Sequence, residues 1–487
     1  MAAVCVMVLG TTSGAGKSWI ATALCRYYAN QGLKVAPFKA QNMSNNARVV
    51  DAGGFEGEIG SAQYFQALAA RVEPSVEMNP VLLKPEADTK SQVVLMGRVD
   101  TTLSQTPWRE RSEKVWPCIQ SALDVLISAN DVVVIEGAGS PAEINLMTSD
   151  IVNMRVARYA NARCLLVTDI DRGGAFAHLY GTWALLEQQD RKLIAGFVLN
   201  KFRGDASLLS PGPEMLQSMT DIPVVATVPM LRGHGLPEED GVFDDATSHP
   251  AIQALKIAII AYPRMSNLDE FQPLKNCSQI QLTWARTPQD LVDADWIILP
   301  GSKYTSSDLD WLRAQGLDRM VCDHAESGGR VLGICGGLQM LGNSLIDPYG
   351  IDGARAGLNL LALDTTFAKD KTVRKTQTEF IHFNGPWALF SGLTVSGYEI
   401  HHGETQASEY SDLSSSLIEL IPDIAWTNVK GNVMGIYLHG LFEDERVMRA
   451  GFEGFSPTLD AVFEKLSTHL ETHSAPGLMS RLINRSS

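Results

Sequence analysis

Val4-Cys5-Val6-Met7-Val8-Leu9-Gly10-Thr11-Thr12-Ser13-Gly14-Ala15-Gly16-Lys17-Ser18 joins an apolar run to a glycine-rich turn and then to a helical pattern. The run reads as a strand covered on both faces, the kind from which parallel sheets are built. The small residues after it let successive backbone N–H groups curl around phosphate oxygens. The helix that follows adds its N-terminal dipole. Thr12, Gly14, Gly16, Lys17 and Ser18 are therefore expected to hold a nucleotide, with Lys17 on the outer phosphates and Ser18 on Mg2+. The first glycine stands at Gly10, one position earlier than the common spacing puts it. A glycine-rich turn capped by serine is the competing reading.

The same texture continues outward. Short β-rich runs at 35–38, 132–135, 164–168, 196–199 and 224–227 alternate with longer helical patterns, which predicts a parallel sheet. A second series starts at 256–261 and continues through 296–299, 331–334 and 433–438. Between the two series, residues 230–241 are rich in glycine, proline and acid and read as a linker. The expected fold class is α/β, with two doubly wound domains over 1–250 and 251–487. The serine-rich stretch at 411–416 and the last dozen residues read as surface or tail.

A chain of 487 residues has room for two or more domains. A hydrophobic content of 45% with 20% charged residues suits sizeable cores. The formal net charge of −15 argues against a nucleic-acid partner, whose affinity comes from basic surfaces. It leaves room for an anionic ligand in a locally basic pocket. The seven cysteines are scattered, which argues against a disulfide framework or a zinc cluster and fits a reducing cytoplasm. The apolar start at 2–9 is short and no basic residue precedes it, so no secretory leader is expected. No stretch reaches the roughly 20 apolar residues of a membrane helix. Small molecules are thus the expected partners, not nucleic acid or membrane.

A second strand–turn–helix pattern is Val331-Leu332-Gly333-Ile334-Cys335-Gly336-Gly337-Leu338-Gln339-Met340-Leu341, with a thiol on the turn. Glycines permit the positive-φ backbone of such a turn and close approach of a substrate. The helix dipole favours the thiolate. Further on, Gly435-Ile436-Tyr437-Leu438-His439-Gly440 ends a strand in a histidine that can serve as base. A buried core cysteine, a satisfied strand-end histidine and an exposed Gln339 are the competing readings. In the first half, Glu136 ends a buried strand where a carboxylate can hold Mg2+ or cap the next helix. Lys39, Gln41, Asn42 and Asn45 follow a strand end and can hold carboxylates or phosphate.

The phosphate loop with its early glycine resembles the dethiobiotin synthetase branch of P-loop proteins, whose members phosphorylate a carboxylate or carbamate. The resemblance implies that Glu136 holds Mg2+, that Asn200 reads adenine and that Glu58 is a further Mg2+ contact. The insertion at 51–57 leaves Asp51 as a competitor for that last role. Cys335 with Gln339, Pro300-Gly301-Ser302 and His439 resemble a class I glutamine amidotransferase domain. This implies thiolate attack on the glutamine carboxamide, proton transfer by His439, and glutamine binding that involves Gln339. The implied oxyanion hole uses the N–H of Gly336 and the Gly301/Ser302 turn. That family usually has a glutamate two residues after the histidine. Leu441 stands there instead, with Glu443 and Asp444 out of register, so a Cys335–His439 dyad is expected, with the imidazole oriented by some other group.

The order of domains and the strings at 37–46, 58–63, 150–154, 169–174 and 397–401 resemble the cobalamin-pathway amidotransferases over nearly the whole chain. The resemblance implies amide synthesis with ATP and Mg2+ as cofactors. ATP converts a carboxylate to an acyl phosphate, and ammonia from glutamine displaces the phosphate. The implied acceptors are the b, d, e and g carboxylates of adenosylcobyrinic acid a,c-diamide. Lys39, Gln41, Asn42 and Asp150 are expected to bind that substrate. Asp150 and Asp171, near the expected phosphate site, can orient Mg2+ or ammonia, or instead cap helices. The strand-like 398–403 segment lines the domain interface or guides substrate. Amidation of only the a and c carboxylates is the enzymatic alternative, against which the strings at 42–46 and 169–174 weigh. A nucleotide switch carrying a dead amidotransferase-like domain is the other, against which Cys335, His439, Lys17 and Ser18 stand.

Overall fold

The structure, a computed structural model, describes residues 2–87, 89–237, 254–408, 417–452 and 457–484. The expected boundary at 250, the end of the linker at 238–241 and the serine-rich 411–416 stretch lie outside the described residues.

The first sheet has six strands, in the order Val224–Pro229, Ile194–Phe202, Arg163–Asp169, Val4–Gly10, Val132–Glu136 and Val35–Phe38. Every pairing is parallel. Strand side chains alternate between faces, and here both faces are covered. Cys5, Met7 and Leu9 join one core with Val115, Ile119 and Leu123 of the helix Trp108–Ala129. Val6 and Val8 join another with Ile20, Leu24 and Tyr28 of the helix Lys17–Asn30. This explains the unbroken apolar runs, and it is the expected doubly wound arrangement. The carboxyl ends of these strands carry the phosphate loop, Glu136 and Asn200, where such sheets bind ligands.

The second sheet has seven strands, in the order Ile280–Ala285, Leu255–Ile260, Trp296–Leu299, Arg330–Ile334, Val433–Ile436, Ala425–Asn428 and Leu417–Ile421. The first five are parallel and the last two antiparallel. A long antiparallel hairpin, Leu363–Glu379 with Thr394–Ala407, leaves this unit and reaches the hairpin Ala47–Asp51/Glu56–Gly60 of the first. Among the described residues no helix is long and apolar enough to cross a membrane.

The end of the chain corrects the expected tail. Helices Leu459–Thr472 and Leu478–Ile483 return to the first unit. Val462, Phe463, Leu466, Leu470, Leu478, Met479 and Leu482 are buried in the core of the helix Lys17–Asn30. Burial of such side chains contributes roughly 1.5–3 kcal/mol each. The buried Arg26 also bonds Asp460 at 2.7 Å. That acid is 66% exposed, so the apolar face dominates the docking.

Candidate active site

Two constellations of polar groups lie at strand ends, one in each unit. In the first, Gly14 and Gly16 have φ of 70° and 100°. A Cβ on Gly16 would stand 2.1 Å from the Asn200 amide nitrogen. A side chain there would displace the loop. Lys17 Nζ donates to the carbonyls of Thr12 and Gly139 at 3.1 and 3.2 Å, which curls the lysine back over the loop. Ser18 Oγ donates to Glu136 Oε1 at 2.9 Å. The same oxygen accepts from Lys39 Nζ at 2.8 Å, and Oε2 accepts from Gln66 Nε2 at 2.6 Å. Burial pushes the Glu136 pKa up, but Lys39, Gln66 and Lys17 outweigh it and hold the group below the usual carboxylate range. A charged carboxylate beside a hydroxyl is a hard-oxygen donor pair that fits Mg2+.

The second constellation is built on Cys335. It sits between the strand Arg330–Ile334 and the helix Gly336–Leu341 with φ 51° and ψ −105°. A non-glycine residue held at positive φ costs on the order of 1–3 kcal/mol and marks a backbone fixed by its surroundings. The neighbouring glycines are required by close approach. A Cβ on Gly336 would lie 2.8 Å from the Ser302 backbone nitrogen, and one on Gly337 would lie 1.9 Å from the Leu299 carbonyl oxygen. A Cβ on Gly301 would lie 2.8 Å from His439 Cε1. Gly301, Ser302, Gly336 and His439 therefore converge around the thiol. Its Sγ lies 3.7 Å from the Ile400 carbonyl oxygen.

His439 is not oriented by chance. Its Nδ1 lies 2.9 Å from Glu270 Oε1, and Glu270 Oε2 accepts from the Gly440 N–H at 2.9 Å. The Tyr398 ring stacks on the imidazole with centroids 5.4 Å apart. Burial opposes a charge on this histidine. Glu270 and Cys335 outweigh it and raise its pKa to about 10. The arrangement brings together the Cys335 thiol, the His439 imidazole and the Glu270 carboxylate, a set of groups capable of acyl transfer.

Two family models meet on this chain. That of the CobQ/CobB/MinD/ParA nucleotide binding domain matches residues 6–238, and that of the CobB/CobQ-like glutamine amidotransferase domain matches 256–447. A cobyric acid synthase of Acidovorax ebreus (strain TPSY) is 66% identical over 99% of this chain and 99% of its own. The chain belongs to the cobyric acid synthase family. Cobyric acid synthases of Acidovorax sp. (strain JS42) and Variovorax paradoxus (strain S110) are 65% and 64% identical, each over 98% of this chain and 97% and 99% of their own. The family's two halves are thus both present, each with its constellation of polar groups.

Against this family background several expectations need correction. The Cys335–His439 dyad gains a third member, Glu270, which sequence reasoning missed because it sought the acid beside the histidine. The only local signal was the acid pair Asp269-Glu270, set in a mixed polar and apolar stretch that does not mark it out. Leu441 is fully buried, Glu443 bonds Arg48, and Asp444 caps the helix Glu445–Gly451. Glu58 does not join Ser18 and Glu136. Its carboxylate is held by Lys84 and by Lys371 of the long hairpin, so both oxygens are neutralised by ammonium groups. Its competitor Asp51 accepts from the Gly53 N–H at 2.9 Å and shapes the hairpin turn. Asp150 is held locally: its oxygens accept from the N–H groups of Val152, Asn153 and Arg155, the last in the first turn of the helix Met154–Tyr159. Asp171 accepts from Arg203 Nε at 2.6 Å.

Gln339, Asn200, Gln41 and Asn42 are buried, and Asn45 is half-buried. Gln339 Oε1 accepts from Thr305 Oγ1 at 3.1 Å, and its Nε2 donates to the Tyr437 hydroxyl at 3.3 Å. Asn200 Nδ2 donates to the Ala15 carbonyl at 2.8 Å, directly behind the phosphate loop. Gln41 and Asn42 lie on the short strand Gln41–Met43, which pairs with 81–83 just after Lys39. Asn42 Oδ1 accepts from the Met43 N–H at 3.0 Å. Lys39 and Gln66 are the partners of Glu136 that fix the first constellation. Gln66 had no sequence signal beyond its place on the helix Ser61–Ala69.

Proposed function

We propose that the chain amidates the b, d, e and g carboxylates of adenosylcobyrinic acid a,c-diamide, with glutamine as nitrogen donor and ATP as activator. The observation that carries this reading is the Cys335–His439–Glu270 set in one chain with the Lys17–Ser18–Glu136 phosphate site. Cys335 thiolate attacks the glutamine carboxamide carbon. The Gly336 N–H and the Gly301/Ser302 turn receive the developing oxyanion. His439 passes its proton to the nitrogen as the C–N bond breaks, so ammonia leaves and a thioester remains. Water then hydrolyses the thioester to glutamate and regenerates the thiol. Gln339 belongs to the glutamine pocket.

At the other site a substrate carboxylate oxygen attacks the γ-phosphorus of ATP and ADP departs. Ammonia adds to the acyl phosphate carbon and phosphate leaves. Lys17 stabilises the charge spread over the transferring phosphoryl oxygens. Thr12, Gly14 and Gly16 supply the loop amides, and Asn200 contacts the base. Lys39, Gln41 and Asn42 receive the substrate carboxylate. Ser18 and Glu136 would hold Mg2+, which neutralises phosphate charge when bound. Seven unpaired thiols suit a reducing compartment, so the proposed setting is the cytoplasm.

The test is to separate the two chemistries. Cys335→Ala is expected to lose glutamine-dependent amidation and keep the ammonia-dependent reaction. Lys17→Ala is expected to lose both. Failure of ammonia to support Cys335→Ala, or substantial synthesis by Lys17→Ala, would overturn the reading.

A further inference from the structure

The acid that orients His439 is itself gripped by the other half of the molecule. The strand Ala47–Asp51 of the first unit presents Arg48, which is 2% exposed. Its guanidinium donates through Nε to Asp269 Oδ2 at 3.0 Å and through Nη1 to Glu443 Oε2 at 2.8 Å, and its Nη2 reaches both acids. Asp269 immediately precedes Glu270. Glu443 closes the short helical turn Leu441–Glu443 that follows His439-Gly440. The guanidinium thus ties together the two segments whose side chains form the Glu270–His439 bond.

The backbone around Arg48 does the same. The Ala47 N–H donates to Asn267 Oδ1 at 3.0 Å, and the Leu268 N–H donates to Asn46 Oδ1 at 3.0 Å. Asn267 has φ 55°, a left-handed turn that starts the segment Leu268–Phe271. Arg48 also lies 5.1 Å from the centroid of Tyr398, the ring stacked on His439. A guanidinium is suited to this work because its planar fork can serve two carboxylates at fixed angles, which an ammonium cannot.

We propose that Arg48 is a positioning residue of the glutamine-hydrolysing site, holding the Glu270 segment and the His439 segment in register from the neighbouring unit. It touches neither glutamine nor the thiol. The inference rests on the assignment of Cys335 as the glutaminase nucleophile. Its consequence is specific. Loss of the fork leaves the site assembled but Glu270 misplaced, so kcat for glutamine falls while KM holds, because misorientation of a base costs rate more than binding.

The experiment compares Arg48→Lys, Arg48→Met and Glu443→Gln with the unaltered chain. Each preparation is assayed for glutamine hydrolysis and for ammonia-dependent amidation. Both Arg48 variants are expected to lose about tenfold or more in glutaminase kcat, with glutamine KM within about twofold. Ammonia-dependent synthesis should stay within about twofold, which also reports that the chain is folded. Full recovery by Arg48→Lys would mean that only charge balance matters and would overturn the inference. So would an equal fall in the ammonia reaction. If the Arg48 variants do not fold, Glu443→Gln carries the test: a severalfold loss of glutaminase kcat alone supports the inference, and no loss overturns it. An unaltered chain that does not hydrolyse glutamine would sink the underlying assignment instead.

Discussion

Glu270 and His439 stand 169 residues apart in the chain and 2.9 Å apart in the fold. One carboxylate oxygen orients the imidazole and the other holds the Gly440 backbone, so the acid fixes both the ring and the chain that carries it. Glu270→Gln keeps the shape but removes the charge that favours imidazolium. Glutamine hydrolysis should fall on the order of a hundredfold, within the range for acid–base groups. Ammonia-dependent amidation should persist, and Asp444→Ala should leave glutamine turnover nearly unchanged. Steady-state assays of the two variants with each nitrogen source check this. Undiminished hydrolysis by Glu270→Gln would return the site to a dyad.

The same contact has a pH signature. Burial disfavours the imidazolium, but Glu270 and Cys335 raise the His439 pKa to about 10. A folded-state value above the unfolded value of about 6.5 gives stability that is fully present below that unfolded value and lost as pH rises through about 10. Denaturant midpoints of the unaltered chain should therefore fall, relative to Glu270→Gln, as pH rises across that window. Parallel profiles for the two proteins would contradict the pairing.

Glu58 offers a choice between a metal role and a structural one. It is 1% exposed and bridges Lys84 and Lys371, and burial already pushes the Lys84 pKa down to about 7. Glu58→Gln removes the buried counter-charge that the Lys84 and Lys371 amines share. Breaking a buried pair from one side costs about 3–5 kcal/mol. A lower melting temperature with an unchanged Mg2+ requirement is expected. A raised Mg2+ requirement at unchanged stability would restore Glu58 to the metal.

These corrections share a cause. The phosphate loop, the Cys335 turn and the central strands were legible because each is encoded in contiguous residues: apolar runs, glycines and one polar group at a fixed offset. Glu270 was not, because its partner His439 lies 169 residues further along the same unit, and Arg48 was not, because its meaning arises only when the two units meet. Lys371 reaches Glu58 across 313 residues, and no local pattern announces such a pair. The last dozen residues read as tail because the core they pack into includes the distant helix Lys17–Asn30. Asp150 was legible in both senses, and its carboxylate accepts from three backbone N–H groups at the entry to the helix Met154–Tyr159.

The most direct test of the central claim is a joint count of nucleotide and amides. The chain is incubated with adenosylcobyrinic acid a,c-diamide, glutamine, ATP and Mg2+, and products are followed by chromatography and mass spectrometry. Partly amidated corrinoids should appear first and the b, d, e, g-amidated product last, with one ADP formed for each amide. AMP in place of ADP would mean an adenylate intermediate and contradict the acyl phosphate route. Cobyrinic acid amidated only at a and c, with the a,c-diamide left unchanged, would contradict the proposed substrate.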